Sequence, residues 1–183
     1  MISIYNQRKS AIKKRLSEFR KIHRGSDEDI FHELCFCLLT PQSKAVYCDR
    51  AIKDLKAAGL ILKGGADAIR PHLKGRARFH NKKAAYIVGA RNAMKTLGSV
   101  DVRSKLNAAD VMATRQWLVD NIKGLGYKEA SHFLRNIGLG QDIAILDRHI
   151  LKNLKIYGAI DRIPSTIGSR KTYLALEEKV RGF

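Results

Sequence analysis

Apolar residues recur every three or four positions through nearly the whole chain, and no segment alternates for long enough to read as a strand. The stripe Ile12, Leu16, Phe19, Ile22 predicts an amphipathic helix that stops before Arg24-Gly25, where glycine supplies a left-handed exit. Ser26 caps a second helix whose first turn, Asp27, Glu28 and Asp29, carries the negative charge that a helix N-terminus favours. Ile30, Phe31, Leu34, Cys35, Phe36, Cys37 and Leu38 occupy most of its faces, so it is expected to be buried nearly all round. Thr40-Pro41 reads as a break and restart, threonine capping and proline first in a helix bearing Ala45, Val46, Ala51, Ile52 and Leu55 and closed by Gly59. A looser stretch with Gly64-Gly65 and Pro71 leads through the basic run His72 to Lys83. The helix after it carries Ala84, Ile87, Val88, Ala90, Met94 and Leu97 and stops at Gly98. Further helical patterns cover residues 108–122, 127–138, 148–157 and 169–182. The expected fold is all-α, in one compact unit spanning residues 1–183.

Charge changes the picture more than composition does. With 35 Lys and Arg against 17 Asp and Glu, the 183-residue chain carries a net charge of +18. That excess argues for a polyanionic partner, without separating DNA from RNA. The N-terminus opens into a charged amphipathic segment, and no apolar run approaches the roughly 18 residues of a membrane span. A soluble, cytoplasmic protein with no membrane partner is therefore expected. Cys35, Cys37 and Cys48 lie in or beside apolar helical pattern and are expected to be reduced core residues, with no metal site.

The most informative segment is Leu118 to Leu134, where two helical patterns meet at Gly124-Leu125-Gly126. Flanking glycines permit a tight turn, Leu125 anchors it in the core, and small Ala130 lets the helices cross closely. The free backbone N–H groups opening the second helix can then hold a phosphate oxygen. Lys128 stands about two residues into that helix, where the positive end of the dipole disfavours an ammonium ion and leaves some neutral amine as a nucleophile. Nineteen residues on, the apolar run Ile143 to Leu146 delivers Asp147 at the start of the next helix, followed by Arg148 and His149. By itself Lys128 reads equally as a phosphate-binding lysine and Asp147 as a helix cap.

Taken together, Gly-Leu-Gly-Tyr-Lys and Leu-Asp-Arg-His resemble the hairpin and catalytic aspartate of the helix-hairpin-helix (HhH-GPD) DNA glycosylases, with the hairpin at about residues 113–138. The resemblance implies a two-lobed helical fold with a DNA-binding cleft, Lys128 as the nucleophile of a bifunctional glycosylase/lyase, and Asp147 as the shared catalytic carboxylate. It places Gly124, Gly126, Arg148 and His149 against the DNA backbone. With Leu38 to Ala45 and Arg78 to Ala84, the chain is similar to the compact archaeal-type 8-oxoguanine glycosylases. That similarity implies that Gln42, with Ser43 and Lys44, enters the gap left by an extruded nucleotide, that Phe79 wedges the stack and that Arg78 faces the estranged base. Asn81 and Lys83 join the DNA-contacting set. An aromatic ring and an amide filling that gap would offset an unstacking cost of a few kcal/mol.

No cysteine follows Cys48, which excludes on ligand count the four-cysteine cluster of other superfamily branches. No metal or organic cofactor is expected, although a monovalent cation at the hairpin carbonyls is implied by the superfamily. The compact class continues into a C-terminal segment with a tryptophan and a terminal lysine. The only tryptophan here is Trp117 and the sequence stops at Arg181-Gly182-Phe183, so no matching segment is present in it: either the sequence is truncated or its base recognition differs. The implied partner is duplex DNA containing oxidised guanine, bound by a monomer. Two other readings stay open: a related glycosylase for another damaged base, and a non-catalytic helix-hairpin-helix DNA-binding module.

Overall fold

A computed structural model describes residues 2–182. Ten α-helices follow in order: α1 Ile2–Arg24, α2 Asp27–Leu39, α3 Ala45–Ala57, α4 Leu60–Lys63, α5 Ala66–Leu73, α6 His80–Ala93, α7 Val111–Asn121, α8 Tyr127–Asn136, α9 Arg148–Ile156 and α10 Arg170–Arg181. A two-residue hairpin, β1 Lys95–Thr96 with β2 Ser99–Val100, is the small addition to the all-α expectation. No helix of the described residues is long and apolar enough to cross a membrane.

Local chemistry sets most of the boundaries. Ser26 caps α2 in a reciprocal box with Asp29, Asp110 caps α7, and Ser169 caps α10, each accepting from a backbone N–H in the first turn. Four expectations need correction. Thr40 closes α2 instead of opening α3: its N–H reaches Phe36 O, its hydroxyl donates to Cys37 O, and Pro41-Gln42 forms a turn before α3 begins at Ala45. The loose stretch is two short helices, α4 and α5. Pro71 is tolerated inside α5 because it shares an exposed face with Asp67, whose carbonyl can turn to water. Leu97 is not part of the α6 stripe but the fully exposed tip of the β-hairpin. Among the described side chains of α1 only Phe19 is buried; Ile12 and Leu16 are 42% and 45% exposed, because the first half of the helix has no described element beside it.

Buried α2 is the hub, packed against α3, α6 and α8. The main core gathers residues of α2 to α8, including Phe31, Leu34, Leu38, Leu55, Ile69, Ile87, Leu118 and Phe133. A second, smaller cluster joins Tyr127, Leu146, Leu151, Leu154, Ile160, Tyr173 and Leu176. These two apolar centres correspond to the two lobes the sequence implied. All three cysteines are buried in the main core, and burial pushes their thiols up.

Between the two clusters lies a buried ion pair. The guanidinium of Arg115 on α7 donates to both oxygens of Glu177 on α10 at 2.7 Å each and to Ser131 on α8 at 3.1 Å, with both charged side chains almost fully buried. Tyr127 and Tyr173 place their rings 5.8 and 5.5 Å from that guanidinium. Glu177 also accepts from Ala144 N at 2.7 Å. The Tyr173 hydroxyl donates to Ala144 O at 2.7 Å and accepts from Leu146 N at 3.2 Å. One buried network thus joins α7, α8, α10 and the segment leading to Asp147. Glu177→Ala, which strands the guanidinium in a low-dielectric interior, is expected to lower stability by about 3–5 kcal/mol in urea unfolding. Adding Arg115→Met should recover much of that loss.

Candidate active site

Two loops carry the residues expected to enter the DNA stack, and both hold backbone that side chains rarely adopt. Gln42 and Phe79 have φ of 54° and 56°, two of the three non-glycine residues with positive φ among those described; the third is Leu97. Such strain persists where the surroundings over-determine it and clusters at functional sites. Here the surroundings are visible. Lys83 of α6 donates to Leu39 O at 2.8 Å, Pro41 O at 2.7 Å and Ser43 Oγ at 3.0 Å, and Ser43 Oγ in turn accepts from Arg78 N at 3.0 Å. The Gln42 turn and the Arg78-Phe79 corner are therefore bolted together.

This corrects the expected role of Lys83. At 4% exposure, with all three ammonium hydrogens committed, it holds the loop instead of meeting a phosphate. Ser43 is likewise a joint between loops. Gln42, Lys44, Arg78 and Asn81 remain exposed. Phe79 is 52% exposed, with the Arg78 guanidinium 5.3 Å from its ring centre. An aromatic ring held out in solvent by strained backbone suits insertion into a stack and does nothing for the core.

The hairpin lies between α7 and α8. Gly124 has φ of +93°, and a Cβ there would clash with the ring of Tyr86 on α6, so both the conformation and the close approach demand glycine. Leu125 and Ala130 are buried, as the motif required. Gly126 is the N-cap of α8 and no side chain caps that helix, leaving the first-turn N–H groups open to an anion. Lys128 follows in the second helical position, its side chain 28% exposed. The acid it meets is Glu129, Oε1 lying 3.3 Å from the lysine Nζ. Glu129 stood in the motif, yet adjacency in sequence gave no signal that it would turn toward Lys128.

Asp147 is the N-cap of α9, where Oδ1 accepts from Ile150 N at 2.8 Å. Both readings of the aspartate can hold together, since capping occupies one oxygen and leaves Oδ2 available. Arg148 and His149 are exposed in the first turn of α9. What draws the ends of α8 and α9 to one place is the smaller apolar cluster. Tyr127, immediately before Lys128, and Leu146, immediately before Asp147, are both buried in it against Tyr173. The cavities of about 680 and 860 Å³ elsewhere in the molecule are lined by neither Lys128 nor Asp147.

One turn beyond Lys128 on α8, His132 meets the edge of Phe36 with ring centres 6.0 Å apart, and its Nδ1 is buried without a partner. Burial, reinforced by Arg135 and Lys128, holds its pKa down to about 4. The helical register places His132 on the Lys128 face, but its burial depended on where α2 lies.

The profile of the family described as 8-oxoguanine DNA glycosylase (Ogg-HhH) matches residues 12–183. A Fusobacterium nucleatum protein named 8-oxoguanine DNA glycosylase/AP lyase is 46% identical over 182 residues, covering 98% of this chain and 83% of the relative. A protein of the same name from Methanocaldococcus jannaschii is 42% identical over 174 residues, covering 94% and 80%. Among solved structures, the M. jannaschii 8-oxoguanine glycosylase/lyase in complex with a 15mer DNA containing 8-oxoguanine superposes with a TM-score of 0.84 at 38% identity. The match covers 98% of this chain and 84% of that one. The 8-oxoguanine DNA glycosylase of Thermotoga maritima gives a TM-score of 0.78 at 37% identity, covering 98% and 83%.

Two outcomes test this geometry. Gly124→Ala should destabilise the protein through both the Tyr86 clash and the left-handed backbone. Tyr86→Ala in the same chain should relieve the clash and leave the backbone cost of about 1–2 kcal/mol, read by thermal unfolding. Between the ordinary histidine range and about pH 4, the unfolded chain takes up a proton that folded His132 refuses, so this residue's stabilisation is lost as pH falls through that window. His132→Asn is expected to flatten the decline in Tm from pH 6.5 to 4.5 relative to the parent. His32, also lowered by burial, and Glu33, raised by it, remain in both proteins and cancel in the difference.

Proposed function

The chain belongs to the 8-oxoguanine DNA glycosylase family, and on that premise we propose that it removes 8-oxoguanine from double-stranded DNA with Lys128 as nucleophile and Asp147 as the assisting carboxylate. The observation that supports this most directly is the burial of Tyr127 and Leu146 in one cluster, which brings the following residues, a lysine and an aspartate, to the N-termini of two adjoining helices.

The reaction follows from those positions. The duplex backbone lies on the hairpin, whose uncapped α8 N–H groups, with Gly124 and Gly126, take a phosphate while Arg148 and His149 contact the strand from α9. Gln42 fills the space the extruded nucleotide leaves, Phe79 wedges the opposite strand, and Arg78 faces the unpaired base; Lys44 and Asn81 add backbone contacts. The Lys128 amine attacks C1′ while the bond to the base breaks, the departing base taking up the proton the amine sheds, and Asp147 Oδ2 stabilises the positive charge developing on the sugar. The resulting aminal opens the sugar to an imine, which acidifies the C2′ proton, and β-elimination breaks the strand on the 3′ side.

No step requires a metal or organic cofactor. The hairpin does fit a monovalent cation, because the carbonyls of Lys123, Gly124 and Leu125 accept no hydrogen bond among the described residues. Those three carbonyls would hold such an ion, which would supply positive charge for an approaching phosphate. Every residue named lies on one chain, so the reading needs only a monomer acting where DNA is, in the cytoplasm.

The test is borohydride trapping on a duplex with a single 8-oxoguanine opposite cytosine. A covalent adduct is expected with the parent protein and none with Lys128→Gln, while Asp147→Asn should slow base release by at least 100-fold with lesion binding retained. Absence of an adduct on both this duplex and an abasic one would overturn the catalytic reading in favour of a binding module, and Lys128→Gln would then only reduce the salt dependence of binding by about one unit.

A further inference from the structure

The first half of α1 is the largest feature that neither the core nor the catalytic elements use. Over its 23 residues the helix carries eight lysines and arginines against the single acid Glu18. Residues 3–17 are all exposed, and among the described residues Arg8, Lys13 and Lys14 have no ion-pair partner, whereas Arg15 is paired with Glu18. Lys9 and Lys13, one turn apart, repel each other, and a segment of this length without tertiary contacts is a marginal helix by itself.

Direction gives this charge a use. At the turn, Gly25 sits against Asp29 of α2, and Arg15, ten residues back, lines the same cavity as Glu33 and Phe36. The helix α1 therefore runs back along α2 toward the end where the Gln42 turn lies. At 1.5 Å per residue, residues 2–14 continue about 20 Å farther. Exposed Tyr5, Ile12 and Leu16 continue the inward-facing line of Phe19, with Arg8 and Arg15 on one flank and Lys9 and Lys13 on the other. The basic flanks thus face the space beside the loops that carry Gln42 and Phe79.

We propose that the free half of α1 is an outrigger that binds the phosphate backbone of the same duplex, about six base pairs from the lesion, through Arg8, Lys9 and Lys13. The distance is its 20 Å reach divided by the roughly 3.4 Å rise per base pair. The proposal rests on the DNA-repair reading above, but adds a contact that the hairpin and wedge loops do not make. Duplex DNA is the occupant because the surface is uniformly cationic and leaves the molecule on the side of the nucleotide-inserting loops.

The experiment measures affinity for lesion duplexes as a function of salt and of arm length, comparing the parent protein with the variant Arg8→Gln/Lys9→Gln/Lys13→Gln. All three side chains are exposed, and circular dichroism checks that the fold is kept. The parent should lose at least tenfold in affinity when one arm is cut to four base pairs, and the variant should be indifferent to that cut. The slope of log K against log salt should fall by about two to three units in the variant, at about 0.9 per phosphate contact. An unchanged slope and an unchanged arm-length dependence would overturn the proposal. So would variant-sensitive binding to anionic phospholipid vesicles together with an unaltered DNA slope, which would make the helix a membrane contact. If the parent binds DNA with the predicted slope but never nicks an 8-oxoguanine duplex, the outrigger stands and the catalytic reading falls.

Discussion

The arrangement of the candidate catalytic groups depends on one buried charge pair. Arg115 and Glu177 lie in α7 and α10, 62 positions apart in sequence, and meet in bidentate geometry where water is excluded. A pair this deep adds little net stability over an apolar replacement, since desolvation consumes most of the Coulombic gain. Its effect here is positional. Through Ala144 N and Ser131 it fixes the approach to Asp147 relative to α8, and the Tyr173 hydroxyl fixes the same segment from its other side. Lysine and aspartate side chains are flexible; the backbone that presents these two is not.

A second fixture holds the strand-opening face. Lys83 gives up its hydration and its freedom to satisfy two carbonyls and a hydroxyl at the end of α2, and burial lowers its affinity for a proton. What it secures is a pair of loops in left-handed backbone, with an amide on one and an exposed aromatic ring on the other. Chains pay for such conformations only where the neighbouring structure leaves no alternative. A lysine inside a basic run thus proves to be scaffold, while its less conspicuous neighbours Arg78 and Phe79 remain at the surface.

The departures from the sequence reading share a cause. Thr40-Pro41 contains residues equally suited to start or end a helix, and Ile12, Leu16 and Leu97 satisfy a helical period whether or not anything packs against them. Periodicity reports what a segment could bury, and only a neighbouring element decides whether it does. The same ambiguity concealed Arg115, Glu177 and Tyr173, whose polar atoms sit among apolar residues and gain partners only when three helices converge. Tyr86 was equally silent, since its importance lies in the space it denies at Gly124.

Sequence alone determined the helical class, the caps at Ser26 and Asp147, the strong excess of positive charge, and the hairpin with its lysine and following aspartate. These rest on local physics: 3.6-residue periodicity, side-chain capping, the conformational freedom of glycine and net charge are all written within a few residues or summed over them. Tertiary structure decided which acid faces Lys128, which basic residues are buried, how two strained loops are joined, and where the free half of α1 points. Those outcomes depend on contacts between positions tens of residues apart, whose energies exist only once the chain has closed on itself.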